Sequence, residues 1–133
     1  MIVRPFITEK NIVVVQHDET LAEASSRMRD RRVGSALILV QPRGEGLGII
    51  TERDLLRAMA DGVDPGDTPV SAYMTSNAVT ITSDWHVVDA ARTMMERGFR
   101  HLLVVDEGRL VGVLSIRDMV KALLQDRQRM AAG

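Results

Sequence analysis

Cysteine is absent from this 133-residue chain, which removes disulfides, thiol nucleophiles and thiolate metal sites together. A reducing, cytoplasmic setting is the expectation. Aromatic residues are almost as scarce, at 3%, so the core has to be built from aliphatic side chains and Met, and few rings are left to stack on single-stranded nucleic acid. Neither sign of charge dominates. Seventeen basic against eighteen acidic side chains leave a net charge of −1, no field to draw the chain onto nucleic acid or anionic lipid. Long apolar runs are missing as well: no segment approaches the roughly 20 residues of a membrane span, and Met1 to Glu9 shows no basic stretch followed by an apolar one. His17, His86 and His101 are scattered in sequence, and no HExxH, P-loop or Ser-His-Asp arrangement occurs. The composition therefore predicts a chain that is not an enzyme, holds no metal, and has neither nucleic acid nor membrane as partner.

What is present is a soluble, globular balance of 45% hydrophobic and 26% charged residues, in a chain long enough to bury a core. Fifteen of the seventeen cations are Arg, the side chain better suited to forked phosphate contacts, although a high-GC coding bias explains the same preference. Eight Met residues supply adaptable apolar filling.

The strongest signal is an internal repeat. A shift of 66 residues lays Val13-Val14-Val15 on Val79-Thr80-Ile81, Asp18 on Asp84, Ala24 on Ala90, Met28 on Met94 and Leu37 on Leu103. From Gly48 the shift becomes 64, putting Gly48 on Gly112 and Thr51-Glu52-Arg53-Asp54 on Ser115-Ile116-Arg117-Asp118. The two-residue difference falls in turn-like sequence, between Val40 and Gly48 in one copy and between Asp106 and Gly112 in the other.

Each copy reads as strand, helix, strand, strand, helix. Short β-branched runs (Ile12 to Val15; Val79 to Ile81) predict the first strands. Thr20 with Glu23 forms a capping box ahead of the buried stripe Leu21, Ala24, Ser25 and Met28; in the second copy the stripe is Val87, Ala90, Ala91, Met94 and Met95. There His86 stands at the cap position, which favours Asp84 as the cap. Continuous apolar runs at Ala36 to Val40 and Leu47 to Ile50, and at Leu102 to Val105 and Leu110 to Leu114, predict strands covered on both faces. Helices follow at Arg53 to Ala60 and Arg117 to Leu124, the second running on as a polar tail. The boundaries expected are residues 1–62 for the first unit, a polar, turn-rich linker at 63–70, residues 71–127 for the second unit and a frayed tail at 128–133.

This order, repeated in tandem with Gly48-Ile49-Ile50-Thr51-Glu52-Arg53-Asp54 and Gly112-Val113-Leu114-Ser115-Ile116-Arg117-Asp118 at matching distances from upstream strands, resembles the CBS-domain pair, or Bateman module. The likeness spans nearly the whole chain and implies a stand-alone pair of α+β fold class. It also implies two βαββα units about a pseudo-twofold axis, sheets face to face with helices outside, and two clefts that take AMP, ADP or ATP, or another adenosyl ligand. A homodimer of pairs is implied too, with Trp85 and the apolar helix positions as candidate interface. No cofactor is required.

Thr51 with Asp54 and Ser115 with Asp118 have the chemistry such a ligand needs: a carboxylate accepts bonds from ribose hydroxyls, while a hydroxyl and the first N–H groups of a helix bind phosphate. The same pairs also serve as plain helix caps. Arg53 and Arg117 are candidate phosphate ligands or simply solvated surface. Arg100 and His101 stand where the resemblance places cationic phosphate contacts, whereas the first copy has Gly34 and Ser35 there. A cleft lined by Arg100, His101, Ser115, Arg117 and Asp118 is thus expected to bind polyphosphate better than its counterpart, where Ser35 offers only a hydroxyl. By the resemblance, one adenine slot combines Thr8, Val13, Val33 and Ala36 with Ser115 and Asp118; the other combines Val79 and Phe99 with Thr51 and Asp54. Strand valines are usually just core.

The reading that follows is a regulatory adenine-nucleotide sensor, whose ligand shifts the packing of the pair for an effector protein to read. The alternative is a ligand-free dimerisation or scaffold module; a nucleic-acid binder ranks last.

Overall fold

A computed structural model describes residues 1–8, 12–39, 47–76 and 78–132. The predicted turn at residues 41–46 lies outside them. The chain divides into two compact units, one of Asn11–Ala78 and the other of Met1–Lys10 with Val79–Gly133.

In the first unit, β1 (Val14–Gln16) leads through α1 (Leu21–Arg31) to β2 (Ser35–Leu39), β3 (Leu47–Thr51) and α2 (Glu52–Ala60). The second unit repeats this with β4 (Thr80–Ile81), α3 (Val87–Arg97), β5 (His101–Asp106), β6 (Arg109–Ser115) and α4 (Ile116–Ala132). Both sheets have the order in which the first strand pairs parallel with the second and the second antiparallel with the third. Register follows the repeat up to Ile38 and Val104, after which a bulge in the second hairpin pairs Val105 with Leu110 where Leu39 pairs with Leu47. Val14 faces Leu37 as Thr80 faces Leu103, and Ser35 faces Thr51 as His101 faces Ser115.

Apolar runs form buried strands at their centres: Ala36, Leu37 and Ile38 in β2, and Leu102, Leu103 and Val104 in β5, are buried, whereas the expected run from Leu110 is covered only from Gly112 on, Leu110 being exposed beside the hairpin turn. The helices add their predicted stripes, Leu21, Ala24 and Met28 from α1 and Val87, Ala90 and Met94 from α3. Ser25 and Ala91 are only half-buried and Met95 is exposed. Burial of each large aliphatic side chain is worth about 1.5–3 kcal/mol, and two such cores hold the units together.

Caps differ in detail from the sequence reading. The Thr20 hydroxyl accepts the Glu23 N–H at 3.1 Å, one half of the expected box, while the Gln16 N–H is taken by Glu19. For α3 the cap is His86, whose Nδ1 accepts the Val88 N–H at 3.2 Å; Asp84 instead accepts a bond from the Thr82 hydroxyl. Imidazole nitrogen thus does the work expected of the carboxylate. Trp85 is half-buried against the core of its own unit. The β5–β6 hairpin closes through Glu107 (φ 51°) and Gly108 (φ 77°), the left-handed pair that a two-residue turn between twisted strands demands.

The compact units do not coincide with the sequence repeats at their leading segments. Residues Val3 to Thr8 are fastened to the second half of the sequence: the Val3 N–H donates to Trp85 O at 2.8 Å, and Thr8 pairs both ways with Val113 on β6 at 2.9 and 3.1 Å. Val3 is fully buried there. The matching segment ahead of the second repeat, Val70 to Thr75, is fastened to the first unit, with Val70 buried and Thr75 paired both ways with Ile49 on β3 at 2.9 and 3.0 Å. Each segment contains a short 3-10 turn, Arg4–Phe6 or Val70–Ala72. Residues 63–70 are likewise part of the first unit, because Thr68 O and Pro65 O accept the N–H groups of Leu21 and Ala22 at the start of α1.

Candidate functional site

Each unit presents one acidic helix start at one end of its sheet. In the second unit, the Asp118 Oδ2 accepts both the Ser115 N–H and the Ser115 hydroxyl at 2.8 Å, and the Asp118 N–H returns to the Ser115 Oγ at 3.1 Å. Chain order makes this happen, since β6 runs straight into α4 and the last strand residue becomes the cap. The Asp118 Oδ1 makes no bond among the described residues. A carboxylate pinned by one oxygen and open at the other is pre-oriented to accept hydroxyl donors.

The neighbours come from β5. His101 faces Ser115 across the sheet, and the Arg100 carbonyl accepts the Ile116 N–H at 2.7 Å, so both stand beside the motif. Arg100 and Arg117 are exposed and His101 is half-buried. Thr8 joins the same end through its pairing with Val113, two residues before Ser115. Four positively charged or imidazole side chains, counting Lys121 on the next turn of α4, thus accompany one carboxylate on adjoining segments of a single unit. Val79 and Phe99 also belong to this unit, both half-buried, Val79 accepting the Leu103 N–H at 3.1 Å.

The first unit repeats the frame with different chemistry. Asp54 Oδ2 accepts the Thr51 N–H at 2.9 Å and its hydroxyl at 3.1 Å, a full capping box. Ser35 faces Thr51, and the Gly34 carbonyl accepts the Glu52 N–H at 3.0 Å. Where the second unit has Arg100, the Glu52 carboxylate lies 3.3 Å from the point a Cβ on Gly34 would occupy, so a longer side chain there would meet it. Arg53 is exposed. The second oxygen of Asp54 is engaged, with Arg57 Nη2 3.2 Å from Oδ1. Val13 and Ala36 are buried core and Val33 packs half-buried against that core.

Thr75 escaped the sequence reading although it stands to β3 as Thr8 stands to β6. The signal was available in the parallel Val3-x-x-Phe6-Ile7-Thr8 and Val70-x-x-Tyr73-Met74-Thr75. Among the described residues no three His, Asp or Glu side chains come together as a metal site would need, and no helix is long and apolar enough to cross a membrane.

Comparison with known proteins assigns this frame. The CBS domain model matches residues 3–61 and 70–125. A 17.7 kDa protein of Acidianus ambivalens is 39% identical over 119 residues, 89% of this chain and 71% of that protein. A longer protein of Methanocaldococcus jannaschii is 36% identical over 90% of this chain, which spans 42% of it. Among solved structures, a CBS domain protein of Pyrobaculum aerophilum complexed with AMP is 31% identical and superposes with a TM-score of 0.78, covering 89% of each chain. With two copies of the domain across most of its length, this chain belongs to the CBS-domain family.

Proposed function

We propose that this chain is a regulatory module that binds an adenine nucleotide, with Ser115 and Asp118 as its principal ligand-binding pair. One observation carries the reading: Asp118 is held by its own cap through Oδ2, leaves Oδ1 open among the described residues, and has Arg100, His101 and Arg117 on adjoining segments. The open oxygen suits the vicinal hydroxyls of a ribose, and the cations with the N-terminus of α4 suit phosphate. The AMP carried by the Pyrobaculum aerophilum relative supports adenosine as the nucleoside. Thr8, Val79 and Phe99 lie in the same unit as Asp118, and Val13, Val33, Ser35, Ala36, Thr51, Arg53 and Asp54 lie in the other.

The ligand acts by favouring one arrangement of the pair, or of a homodimer of pairs, that an effector protein reads. Titration calorimetry of AMP, ADP, ATP, NAD and S-adenosylmethionine against the intact chain tests this. Binding of at least one adenosyl ligand is expected. Asp118→Asn, which keeps a capping oxygen, weakens it roughly tenfold or more, the worth of hydrogen bonds to a charged group, while Asp54→Asn has a smaller effect. Absence of binding at millimolar ligand leaves the scaffold reading; equal losses from the two variants refute the asymmetry.

A further inference from the structure

The two acidic helix starts are built alike up to their second carboxylate oxygen, and there they part. Among the described residues Asp118 Oδ1 is open, but Asp54 Oδ1 is met by Arg57 at 3.2 Å. Arg57 is itself held: its Nη2 donates to the Tyr73 carbonyl at 3.3 Å and its guanidinium carbon lies 6.0 Å from the centre of the Tyr73 ring. The Tyr73 hydroxyl donates in turn to Asp61 Oδ2 at 2.8 Å, which fixes the ring over which the guanidinium stands. Asp54, Arg57, Tyr73 and Asp61 thus form one continuous chain of contacts in the first unit.

The second unit has no means of rebuilding it. The matching residues are Asp118, Lys121, Gln125 and Phe6. Phe6 has no hydroxyl, Gln125 has no charge, and an ammonium lacks the flat, forked donor set that lets a guanidinium serve a carboxylate and a carbonyl while lying against a ring. No ion pair joins Lys121 to Asp118 among the described residues.

We propose that Arg57 is a built-in competitor of the nucleoside at Asp54, occupying the carboxylate oxygen that a ribose would use, so that nucleotide fills the Ser115–Asp118 motif first. The inference rests on the nucleotide reading and adds its order of occupancy. Asp54 is only 13% exposed, so the oxygen met by Arg57 is not readily exchanged for bulk water, whereas Arg57 is 62% exposed and free to swing out once a ligand competes. The latch therefore grades the first motif down rather than abolishing it.

The test is calorimetric titration of AMP, ADP and ATP into the intact chain and into Asp118→Asn, where remaining heat reports on Asp54, each with and without Arg57→Met. Met keeps the apolar stem and removes the guanidinium. Arg57→Met is expected to raise the association constant at Asp54 about two- to fivefold, what release of one solvent-accessible ion pair yields, and to leave the Asp118 affinity unchanged. Tyr73→Phe, which deletes only the hydroxyl tied to Asp61, gives a smaller gain in the same direction and does not depend on Arg57→Met folding well. Unchanged or weaker binding at Asp54 after Arg57→Met overturns the inference and makes Arg57 a phosphate ligand or a bystander, with the nucleotide reading intact. No heat from any nucleotide in any of these chains overturns both.

Discussion

At the scale of single residues, Ser83 shows how one side chain fastens distant sequence. It is 2% exposed; its N–H and hydroxyl both donate to the Asp106 carboxylate, at 2.9 and 2.5 Å, while its Oγ accepts from Arg4 at 3.1 and 3.3 Å. The Ser83 hydroxyl, then its N–H, hold the Asp106 carboxyl below the usual aspartate range. A depressed pKa contributes stability that is complete above the ordinary aspartate range and disappears as the pH falls through the lower folded-state value. Asp106→Asn is therefore expected to lower the thermal midpoint near neutrality and to flatten its acid decline; an unchanged slope between roughly neutral pH and pH 3 would remove Asp106 from that role. The first repeat has His17 and Val40 at these positions, so the clasp belongs to one unit only. The cap at Asp118 was legible from Ser115 and Asp118 at their spacing, but the state of the second carboxylate oxygen was not, since Thr51 and Asp54 share that spacing and differ there. Arg57 was not, because an Arg one turn after an Asp describes countless solvated helix faces, and its partner Tyr73 lies outside the helix.

At the scale of elements, Gly112 sits hard against the backbone of the leading segment. A Cβ there would run into the Thr8 carbonyl and the Ile7 side chain, and a paired backbone cannot step aside. Gly112→Ala should cost roughly 1–3 kcal/mol, as overpacking does. At Gly48 the same change meets Met74 Sδ at 3.1 Å and Thr75 O at 3.3 Å, where a flexible thioether takes up part of the strain, so Gly48→Ala should cost less. Urea unfolding of both variants ranks them; a harmless Gly112→Ala would mean that the Thr8 pairing is dispensable. Element order and the two hairpins were readable because the matched runs are apolar and anchored at Gly48 and Gly112; the parallel pairing of the first strand with the second was not, since a helix separates them in sequence. The segments Val3 to Thr8 and Val70 to Thr75 carry no such period. Their short turns and single bridges arise from pairing with strands far along the chain, which local sequence does not encode.

For the whole molecule, the exchange of these leading segments means that neither half of the sequence contains a complete unit. Residues 12–60 need buried Val70 from beyond them, and residues 78–132 need buried Val3 from before the first repeat. Loss of either forfeits about 1.5–3 kcal/mol from that valine alone, a large part of the stability of a small domain. Fragments 1–66 and 67–133 are accordingly expected to unfold without cooperativity when separate and to regain a cooperative melt when mixed in equal amounts, as followed by circular dichroism. Independent cooperative melts would show that the segments are ornamental. The same exchange decides where a signal entering ahead of Met1 would arrive. A label or fused body attached there is moored to the second unit at the start of α3, through the Met1 amino group 3.0 Å from His86 Nε2 and the Met1 carbonyl that accepts the Val87 N–H at 3.0 Å, although the repeat that follows it in sequence is the first.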